Sequence, residues 1–229
     1  MDFRALPERL AQVRAEVVRR QATGGWTHPV TLVAVTKGFG LDAVNAALAA
    51  GLTDLGENRI QEAIGKIDAS AGRGAVWHMI GHLQRNKARH VPGRFAVVHS
   101  VDSEPLAGEL ERRAAEQDVT VRVLLQVNVA GEAQKSGCEP AEAAALVRAT
   151  AGHRHLKLEG LMTVAPLTED AAVQRRTFRA LRVLRDDLQG EGLWLPELSM
   201  GMSGDYAIAV EEGATMLRLG TALFGPRTA

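Results

Sequence analysis

The feature that most restricts the fold of this chain is a repeated pattern of a short apolar run, a polar turn and a helical stretch. Eight strand-like runs occur, at residues 31–37, 53–58, 76–81, 95–101, 121–129, 158–164, 197–203 and 216–222. Several of them are almost continuously apolar, which is typical of parallel strands that are covered on both faces. Eight such units predict an α/β fold, a single TIM-type (β/α)8 barrel, which usually takes about 250 residues.

An open doubly wound sheet is the rival architecture for the same pattern. That fold favours a glycine-rich phosphate loop after its first strand, and the sequence VTKGFG at this place does not match G-x-G-x-x-G. We therefore predict that residues 1–229 form one barrel domain.

The stretches between the apolar runs have the periodicity of helices. Apolar residues share one helix face in four sets: Leu6, Leu10, Val13 and Val17; Ile60, Ile64 and Ile67; Leu106, Leu110 and Ala114; Leu181, Leu184 and Leu188. The first set precedes the first strand and predicts an extra N-terminal helix. Ser103 is a candidate cap, the longest helix is expected to start after Thr168, and Gly51 and Gly213 are expected to end two helices.

Composition excludes several classes of partner. The 27 basic and 27 acidic residues cancel, so nucleic acid and anionic membranes are not expected partners. No apolar run is long enough to cross a bilayer, and the charged N-terminus lacks the apolar core of a signal peptide. The single cysteine, Cys138, permits no intramolecular disulfide, which predicts a cytoplasmic protein.

Lys37 is the first candidate functional residue. Only five of the 27 basic residues are lysines, so a lysine in an unusual place is informative. Lys37 ends the first run and shares a strand face with Val33 and Val35. If that face points into the barrel, the amine lies at the C-terminal mouth, where apolar surroundings make it a nucleophile for an aldehyde. Position alone leaves open a lysine that snorkels to solvent.

Arg218 is the second candidate, because it alternates with apolar residues in the eighth run. A buried guanidinium needs a partner. Two interpretations remain open for the partner of Arg218: an ion pair with Glu57 or Glu159, or a hydrogen bond to a ligand at the barrel mouth.

The loops after the seventh and eighth strands predict a phosphate site. Barrels of this type often hold phosphate there, and these loops offer the hydroxyls of Ser203 and Thr221 with backbone N–H groups around Gly204 and Gly220. Glycine pairs alone usually mark turns, but together with Lys37 on the first strand they favour an anion site.

Other residues favour no special chemistry. His78 and His82 lie on a strand without a Cys/His cluster, so no metal site is predicted. Cys138 has no evident base partner and is expected to be an ordinary thiol. The basic residues 84–89 are expected to form a solvated helix face.

Seven motifs, in order along nearly the whole chain, resemble a known family. They are LVAVTK with Lys37, GENRIQEA, WHMIGHLQRNK, VNVAGEAQKSG, GLMTV, LSMGMSGD and MLRLGTALFG. The sequence is similar to the pyridoxal-phosphate homeostasis proteins, which are related to the N-terminal barrel of alanine racemase. The resemblance implies a barrel without the β-rich second domain of the racemase.

The resemblance also implies a cofactor, pyridoxal 5′-phosphate, and roles for seven residues. Lys37 would form the internal aldimine and Arg218 would face the pyridine nitrogen. Ser203, Gly220 and Thr221 would hold the phosphate, and Asn58 and His82 would line the pocket near the ring. An arginine beside the pyridine nitrogen disfavours its protonation and so weakens the ring as an electron sink.

Two departures qualify the resemblance. The family usually has Asp-Asp where this chain has Gly204 and Asp205, and the acidic residue two positions further is absent. Racemisation needs a base on each face of the cofactor, and the only tyrosine, Tyr206, is expected to pack rather than to catalyse.

Three functions follow as hypotheses. The favoured one is a protein that holds pyridoxal phosphate for homeostasis or delivery to apo-enzymes, with little or no turnover, and as a monomer. The second is a pyridoxal-phosphate-dependent amino-acid racemase. The third is a Schiff-base aldolase or phosphosugar enzyme that uses Lys37 without a cofactor. Lys135, after the fifth strand, is either an ordinary loop residue or an aid to cofactor release.

Overall fold

The computed structural model of the protein describes residues 3–70, 72–132 and 135–226. Its centre is a closed barrel in which β1 to β8 lie in sequence order and β8 pairs with β1, every pair being parallel. The strands are β1 Thr31–Val35, β2 Asp54–Glu57, β3 Val76–Met79, β4 Val97–Val101, β5 Val121–Gln126, β6 Leu156–Met162, β7 Glu197–Met202 and β8 Met216–Leu219. The predicted TIM-type barrel is confirmed and the open sheet is excluded, because closure leaves no free edge.

Helices surround the barrel. They are α1 Leu6–Gly24, α2 Leu41–Ala49, α3 Ile60–Ala69, α4 Glu104–Ala115, α5 Pro140–Ala151, α6 Ala171–Gly190, α7 Tyr206–Glu211 and α8 Thr221–Phe224. The predicted N-terminal helix is α1, and its apolar stripe is buried. The basic cluster lies mostly exposed in a short 3-10 helix, Arg85–His90, between β3 and β4. None of the described helices is long and apolar enough to cross a bilayer.

Local sequence accounts for several helix ends. Asp170 caps α6, because its Oδ1 accepts hydrogen bonds from Ala172 N at 2.8 Å and Val173 N at 3.3 Å. Gly51 and Gly213 follow α2 and α7 with φ of +76° and +92°, a left-handed conformation that glycine adopts without strain. Ser103 occupies the N-cap position of α4 as predicted, but its hydroxyl donates to Asp102 Oδ1 at 3.2 Å and makes no capping hydrogen bond.

The strands divide their side chains between two environments. Residues such as Leu217 and Leu219 of β8 belong to the large core beneath the helices. Val97, Leu124 and Met162, on three successive strands, form a separate buried cluster that contains no helix residue, and this places them inside the barrel. Because strand side chains alternate, inward and outward positions follow along every strand from these markers.

Leu124 tests the packing of the barrel interior. We expect Leu124→Ala to lower the free energy of unfolding by about 2–5 kcal/mol, because it removes a fully buried side chain from a space that cannot collapse freely. Urea unfolding followed by circular dichroism measures this change. The matched control is Leu167→Ala, at an exposed leucine, which should alter stability by less than about 0.5 kcal/mol. Equal effects of the two substitutions would contradict the assignment.

Candidate functional site

A cavity of about 380 Å³ opens at the C-terminal end of the barrel strands. The residues that line it are Val35, Lys37, Phe39, Asn58, Ile80, Val164, Met202, Ser203, Gly204, Arg218, Gly220 and Thr221. All but one of the site residues predicted from the sequence therefore meet in a single cavity, and His82 is the exception. The cavity lies at the C-terminal face of the barrel, where barrel enzymes carry their catalytic residues.

Lys37 lies two residues beyond β1, on the inward-facing side of the strand. Ala34 belongs to the core beneath the helices, so alternation turns Val33 and Val35 inward and carries Lys37 to the mouth. The side chain is half-buried and lines the cavity between apolar neighbours that include Val35 and Phe39. The inward face expected from the sequence is confirmed.

A buried lysine holds the backbone immediately before Lys37. Lys66, on α3, donates from Nζ to Thr36 O at 2.9 Å and to Glu57 Oε1 at 2.6 Å. The Thr36 hydroxyl donates to the same carboxylate oxygen at 2.6 Å. Burial raises the pKa of Glu57, although the hydrogen bonds from Lys66 and Thr36 act in the opposite direction. The three groups form one polar cluster between β1, β2 and α3.

The same cluster reaches the residue that follows Lys37. Lys66 Nζ also donates to Glu62 Oε1 at 3.0 Å, and Glu62 Oε1 accepts the Gly38 N–H at 2.5 Å. The chain on both sides of Lys37 is thus tied to a single ammonium group, directly at Thr36 and through Glu62 at Gly38. Such outer contacts fix the direction of a reactive side chain without touching a ligand.

Arg218 is buried in β8, with 4% of its surface exposed. Its Nη1 donates to Ser199 Oγ at 2.6 Å and its Nη2 donates to Thr163 O at 2.8 Å. Burial lowers the pKa of Arg218 to about 10, and the charge of Asp205 opposes this only in part. The guanidinium therefore stays protonated at neutral pH while its direct protein partners are uncharged.

The ion pairs considered for Arg218 are wrong. Glu57 points outward, towards α3, because it shares a strand face with Leu55 of the outer core. Glu159 pairs with Arg122, at 2.6 Å, and with Lys157, at 2.9 Å. Neither carboxylate is available to the guanidinium.

The loops after β7 and β8 are joined through Ser203. Its Oγ accepts the N–H groups of Gly220 and Ala222, each at 3.1 Å, and this hydrogen bonding fixes the position of the hydroxyl at the start of α8. Its proton has no acceptor within residues 3–70, 72–132 and 135–226. Because Ser203 Oγ takes up the N–H groups of Gly220 and Ala222, the donor that this wall offers to an anion is the Ser203 hydroxyl, which lines the cavity beside Gly220 and Thr221.

Asn58 and His82 both line a second cavity, and Asn58 alone also lines the main one. Asn58 lines the cavity, and its buried Oδ1 accepts no hydrogen bond from the described residues. His82 is exposed, with Nδ1 3.6 Å from Asp102 Oδ2, and it lines a second cavity of about 200 Å³ that Asn58 also borders. The two residues expected near one ring thus meet at the second cavity, which adjoins the main one.

The remaining candidates lie outside the main cavity. Lys135 lines the second cavity and donates from Nζ to Ala165 O at 2.9 Å. Tyr206 packs against the outer core, and burial raises its pKa. Burial raises the pKa of Cys138 to about 11, so its thiol is unreactive at neutral pH. Groups of three or more potential metal ligands are absent from the described part of the chain.

Sequence reasoning missed the support behind Arg218. Ser199 lies inside the barrel and contacts His99 Nδ1 at 2.8 Å, so a histidine of β4 also belongs to the site. The available signal was a polar residue within each of two apolar strands, which resembles the signal that selected Arg218. Apolar wall residues such as Ile80 and Val164 gave no signal, because they do not differ from core residues in sequence.

Comparison with known proteins first defines the class of this barrel. The sequence profile of the alanine racemase N-terminal domain matches residues 10–228. A solved alanine racemase from Corynebacterium glutamicum superposes with a TM-score of 0.71 at 18% identity, covering 94% of this chain and 62% of that one. At this identity the likeness shows the fold alone.

Closer relatives then define the family. The pyridoxal phosphate homeostasis protein of Pseudomonas aeruginosa is 44% identical over 223 residues, covering 97% of this chain and 96% of that protein. PipY of Synechococcus elongatus, solved with pyridoxal phosphate bound, is 38% identical with a TM-score of 0.85, covering 96% of this chain and 100% of that one. The chain belongs to the family of pyridoxal phosphate homeostasis proteins, as its motifs predicted.

The Lys66 cluster yields a prediction about stability and pH. Lys66→Met leaves Glu57 and Glu62 without their shared cation, so we expect the free energy of unfolding at neutral pH to fall by about 3–5 kcal/mol. The pKa of Glu57 is already raised, so in the Lys66→Met protein this carboxylate is protonated readily as the pH falls. Protonation removes the uncompensated buried charge, so the loss in free energy of unfolding relative to the unsubstituted protein should shrink in acid.

Urea unfolding of both proteins at neutral and mildly acidic pH measures the deficit. Lys157→Met, at an exposed lysine, is the matched control and should cost less than about 1 kcal/mol. A deficit that does not change with pH would contradict the role given to Glu57.

Proposed function

We propose that this chain binds pyridoxal 5′-phosphate in the cavity at the barrel mouth and holds it covalently on Lys37. The observation that carries the proposal is the convergence of three groups, Lys37, Arg218 and Ser203, on that one cavity. The cofactor offers a complementary set: an aldehyde for the amine, a ring nitrogen for the guanidinium and a phosphate for the hydroxyl and backbone donors. PipY, a relative solved with this cofactor bound, supports the same choice.

Open hydrogen-bonding capacity in the cavity supports the fit. Asn58 Oδ1 is buried and has no partner among the described residues, and buried polar groups are normally paired. The partly exposed Ser203 hydroxyl accepts two N–H groups and keeps its proton for a ligand. The volume of about 380 Å³ lies in the range that small-molecule sites occupy. When bound, pyridoxal phosphate supplies an aldehyde that condenses with amines and a ring that withdraws electrons.

Each residue has a distinct task in this proposal. The Lys37 amine makes the covalent attachment. Ser203 and Thr221 bind the phosphate, and Gly220 contributes by donating its N–H to Ser203 Oγ, which fixes the hydroxyl that orients the phosphate. Arg218 faces the ring nitrogen as a donor, and its positive charge disfavours a proton there. A ring without that proton withdraws electrons weakly, which favours reversible holding over rapid turnover.

The proposed role is therefore homeostasis or delivery of the cofactor, rather than racemisation. A racemase needs a proton-transferring group on each face of the ring, and Tyr206 packs against the outer core instead of lining the cavity. The names of curated relatives, among them those of Pseudomonas aeruginosa and Aquifex aeolicus, describe homeostasis.

The proposal extends to the organisation of the protein. Residues 1–229 act as one cofactor-binding domain, as a monomer, because one barrel supplies all the residues that line the cavity. Apo-enzymes that use pyridoxal phosphate are the proposed recipients. A cytoplasmic location suits the single buried cysteine.

Borohydride trapping tests the covalent attachment. Protein incubated with pyridoxal phosphate should gain visible absorbance, and reduction should fix the mass of a pyridoxyl group on the peptide that contains Lys37. Lys37→Ala should lose both signals, whereas Lys157→Ala, at an exposed lysine, should retain them. A protein that stays colourless with the cofactor would refute the proposal, and trapping of a sugar phosphate without cofactor would favour the aldolase alternative.

The same samples test turnover. Incubation with alanine in deuterated water should give no more exchange at Cα than free pyridoxal phosphate gives, and Tyr206→Phe should not alter the rate. Exchange well above that background would favour the racemase.

Ser203→Ala tests the phosphate site. Loss of a hydrogen bond to a charged group costs about 1.5–3 kcal/mol, so the Kd for pyridoxal phosphate should rise by about tenfold or more. The Kd for pyridoxal, which has no phosphate, should change little. Equilibrium dialysis measures both values, and Ser103→Ala, outside the cavity, is the control. An equal loss for the two ligands would place the phosphate elsewhere.

A further inference from the structure

A continuous line of polar side chains crosses the barrel interior behind Arg218. Arg218 Nη1 lies 2.6 Å from Ser199 Oγ, which lies 2.8 Å from His99 Nδ1. His99 Nε2 lies 2.8 Å from His78 Nδ1, and His78 Nε2 lies 3.0 Å from Asp54 Oδ1. Asp54 is the first residue of β2, at the opposite end of the barrel from the cavity. The line therefore connects the two ends of the barrel.

Burial isolates the middle of this line from water. His78, His99 and Ser199 have exposures of 1%, 0% and 0%. Their strand neighbours, such as Trp77, Val98 and Leu198, belong to the core beneath the helices, so the three polar side chains point into the barrel. Buried polar groups are tolerated when their hydrogen bonds are satisfied. His78, His99 and Ser199 each have a hydrogen-bond partner on both sides in the line.

The Asp54 end of the line sets the donor direction, and the Arg218 end is compatible with it. A guanidinium only donates, so Ser199 Oγ accepts from Arg218 and can donate its own hydroxyl proton to His99 Nδ1. A carboxylate only accepts, so His78 Nε2 carries a proton towards Asp54. Two neutral rings that each carry the proton on Nε2 satisfy both conditions, because His99 Nε2 then donates to His78 Nδ1.

The charges around the line agree with this direction. Burial holds the pKa of His99 well below its usual range, and the positive charges of Arg218 and Arg122 act the same way, so His99 is neutral. Burial acts to raise the pKa of Asp54, but the lowering contributions, led by the hydrogen bond from His78 and including Thr53 and Arg122, together outweigh burial and lower this pKa. Arg122 is itself paired with Glu159. Asp54 is thus ionised at neutral pH.

The line stabilises the buried charge of Arg218 without a direct ion pair. A buried cation is costly without an anion, but a carboxylate in direct contact would neutralise the guanidinium beside the cavity. Aligned hydrogen bonds polarise one another, so each acceptor in the line faces Arg218 with increased negative character. Asp205, which follows β7, acts on Arg218 through its charge without a direct ion pair. The line adds the charge of Asp54 from across the barrel, again without a carboxylate in contact with the guanidinium.

We propose that Asp54, His78, His99 and Ser199 are positioning residues that hold Arg218 charged and directed towards the ring nitrogen of the bound cofactor. The proposal rests on the proposed function, because it assigns the purpose of the line to pyridoxal phosphate beside Arg218. No member except Arg218 touches the cavity.

The direction of the line is tested first without any cofactor. In the ligand-free full-length protein, 15N-detected histidine spectra should show His78 and His99 as neutral rings protonated on Nε2. Asp54→Asn replaces an obligate acceptor by an amide that also donates, so the ring signals of His78 should move towards the Nδ1-protonated form. The control Asp118→Asn, at an aspartate whose side chain is 98% exposed, should leave both rings unchanged. A His99 ring protonated on Nδ1 in the unsubstituted protein would overturn the proposal.

The effect on the cofactor is tested second. Asp54→Asn should weaken retention of pyridoxal phosphate by about three- to tenfold and displace the pH midpoint of its visible absorbance, because a guanidinium that the line no longer positions is directed less precisely at the ring nitrogen. Ser199→Ala, which breaks the line next to Arg218, should move the midpoint in the same direction, and Asp118→Asn should not. Thermal unfolding of each variant separates these effects from lost stability.

The outcomes keep the two proposals apart. If the unsubstituted protein takes up no pyridoxal phosphate, the proposed function is wrong. The spectra of the ligand-free protein still test the donor direction of the line in that case. Normal uptake by the unsubstituted protein, with an unchanged midpoint in both Asp54→Asn and Ser199→Ala, overturns the positioning role and leaves the proposed function standing.

Discussion

Closure of the parallel barrel is the constraint on which the rest of this structure depends. Pairing of β8 with β1 places Arg218 directly opposite Val33 in register, although the two residues are far apart in sequence. Because all strands are parallel, their carboxyl ends meet at one mouth of the barrel. Lys37 and Ser203 lie at this mouth, in the loops that follow β1 and β7. A single closure thus assembles an amine, a guanidinium and an anion-binding hydroxyl.

The two buried basic groups near this mouth are stabilised in opposite ways. Lys66 lies outside the barrel wall and contacts two carboxylates, Glu57 and Glu62. Arg218 lies inside it and donates to a hydroxyl and a carbonyl oxygen. Direct ion pairing gives Lys66 the rigidity needed to hold the chain around Lys37. Neutral acceptors leave the charge of Arg218 effective in the cavity, and this difference suits a group that interacts with a ligand.

The errors about the surroundings of Arg218 have one origin. Alternation predicts that neighbouring strand residues face opposite sides, and this correctly turned Lys37 inward. Alternation does not show which residues of different strands lie at the same level along the barrel axis. Glu57 was therefore a reasonable partner for Arg218 on the sequence alone, although the structure turns Glu57 outward. His99 and Ser199 were overlooked for the same reason, since they are 100 residues apart and meet only across the closed barrel.

The sequence by itself determined the number and order of the strands, the extra N-terminal helix, the family and most residues of the cavity. Those properties follow from local periodicity and from motifs, which each segment carries independently of the others. Only the tertiary structure decided what faces Arg218, how α3 holds the chain beside Lys37, and that His82 borders a second cavity. These depend on strand register and barrel closure, which are collective properties of all eight strands.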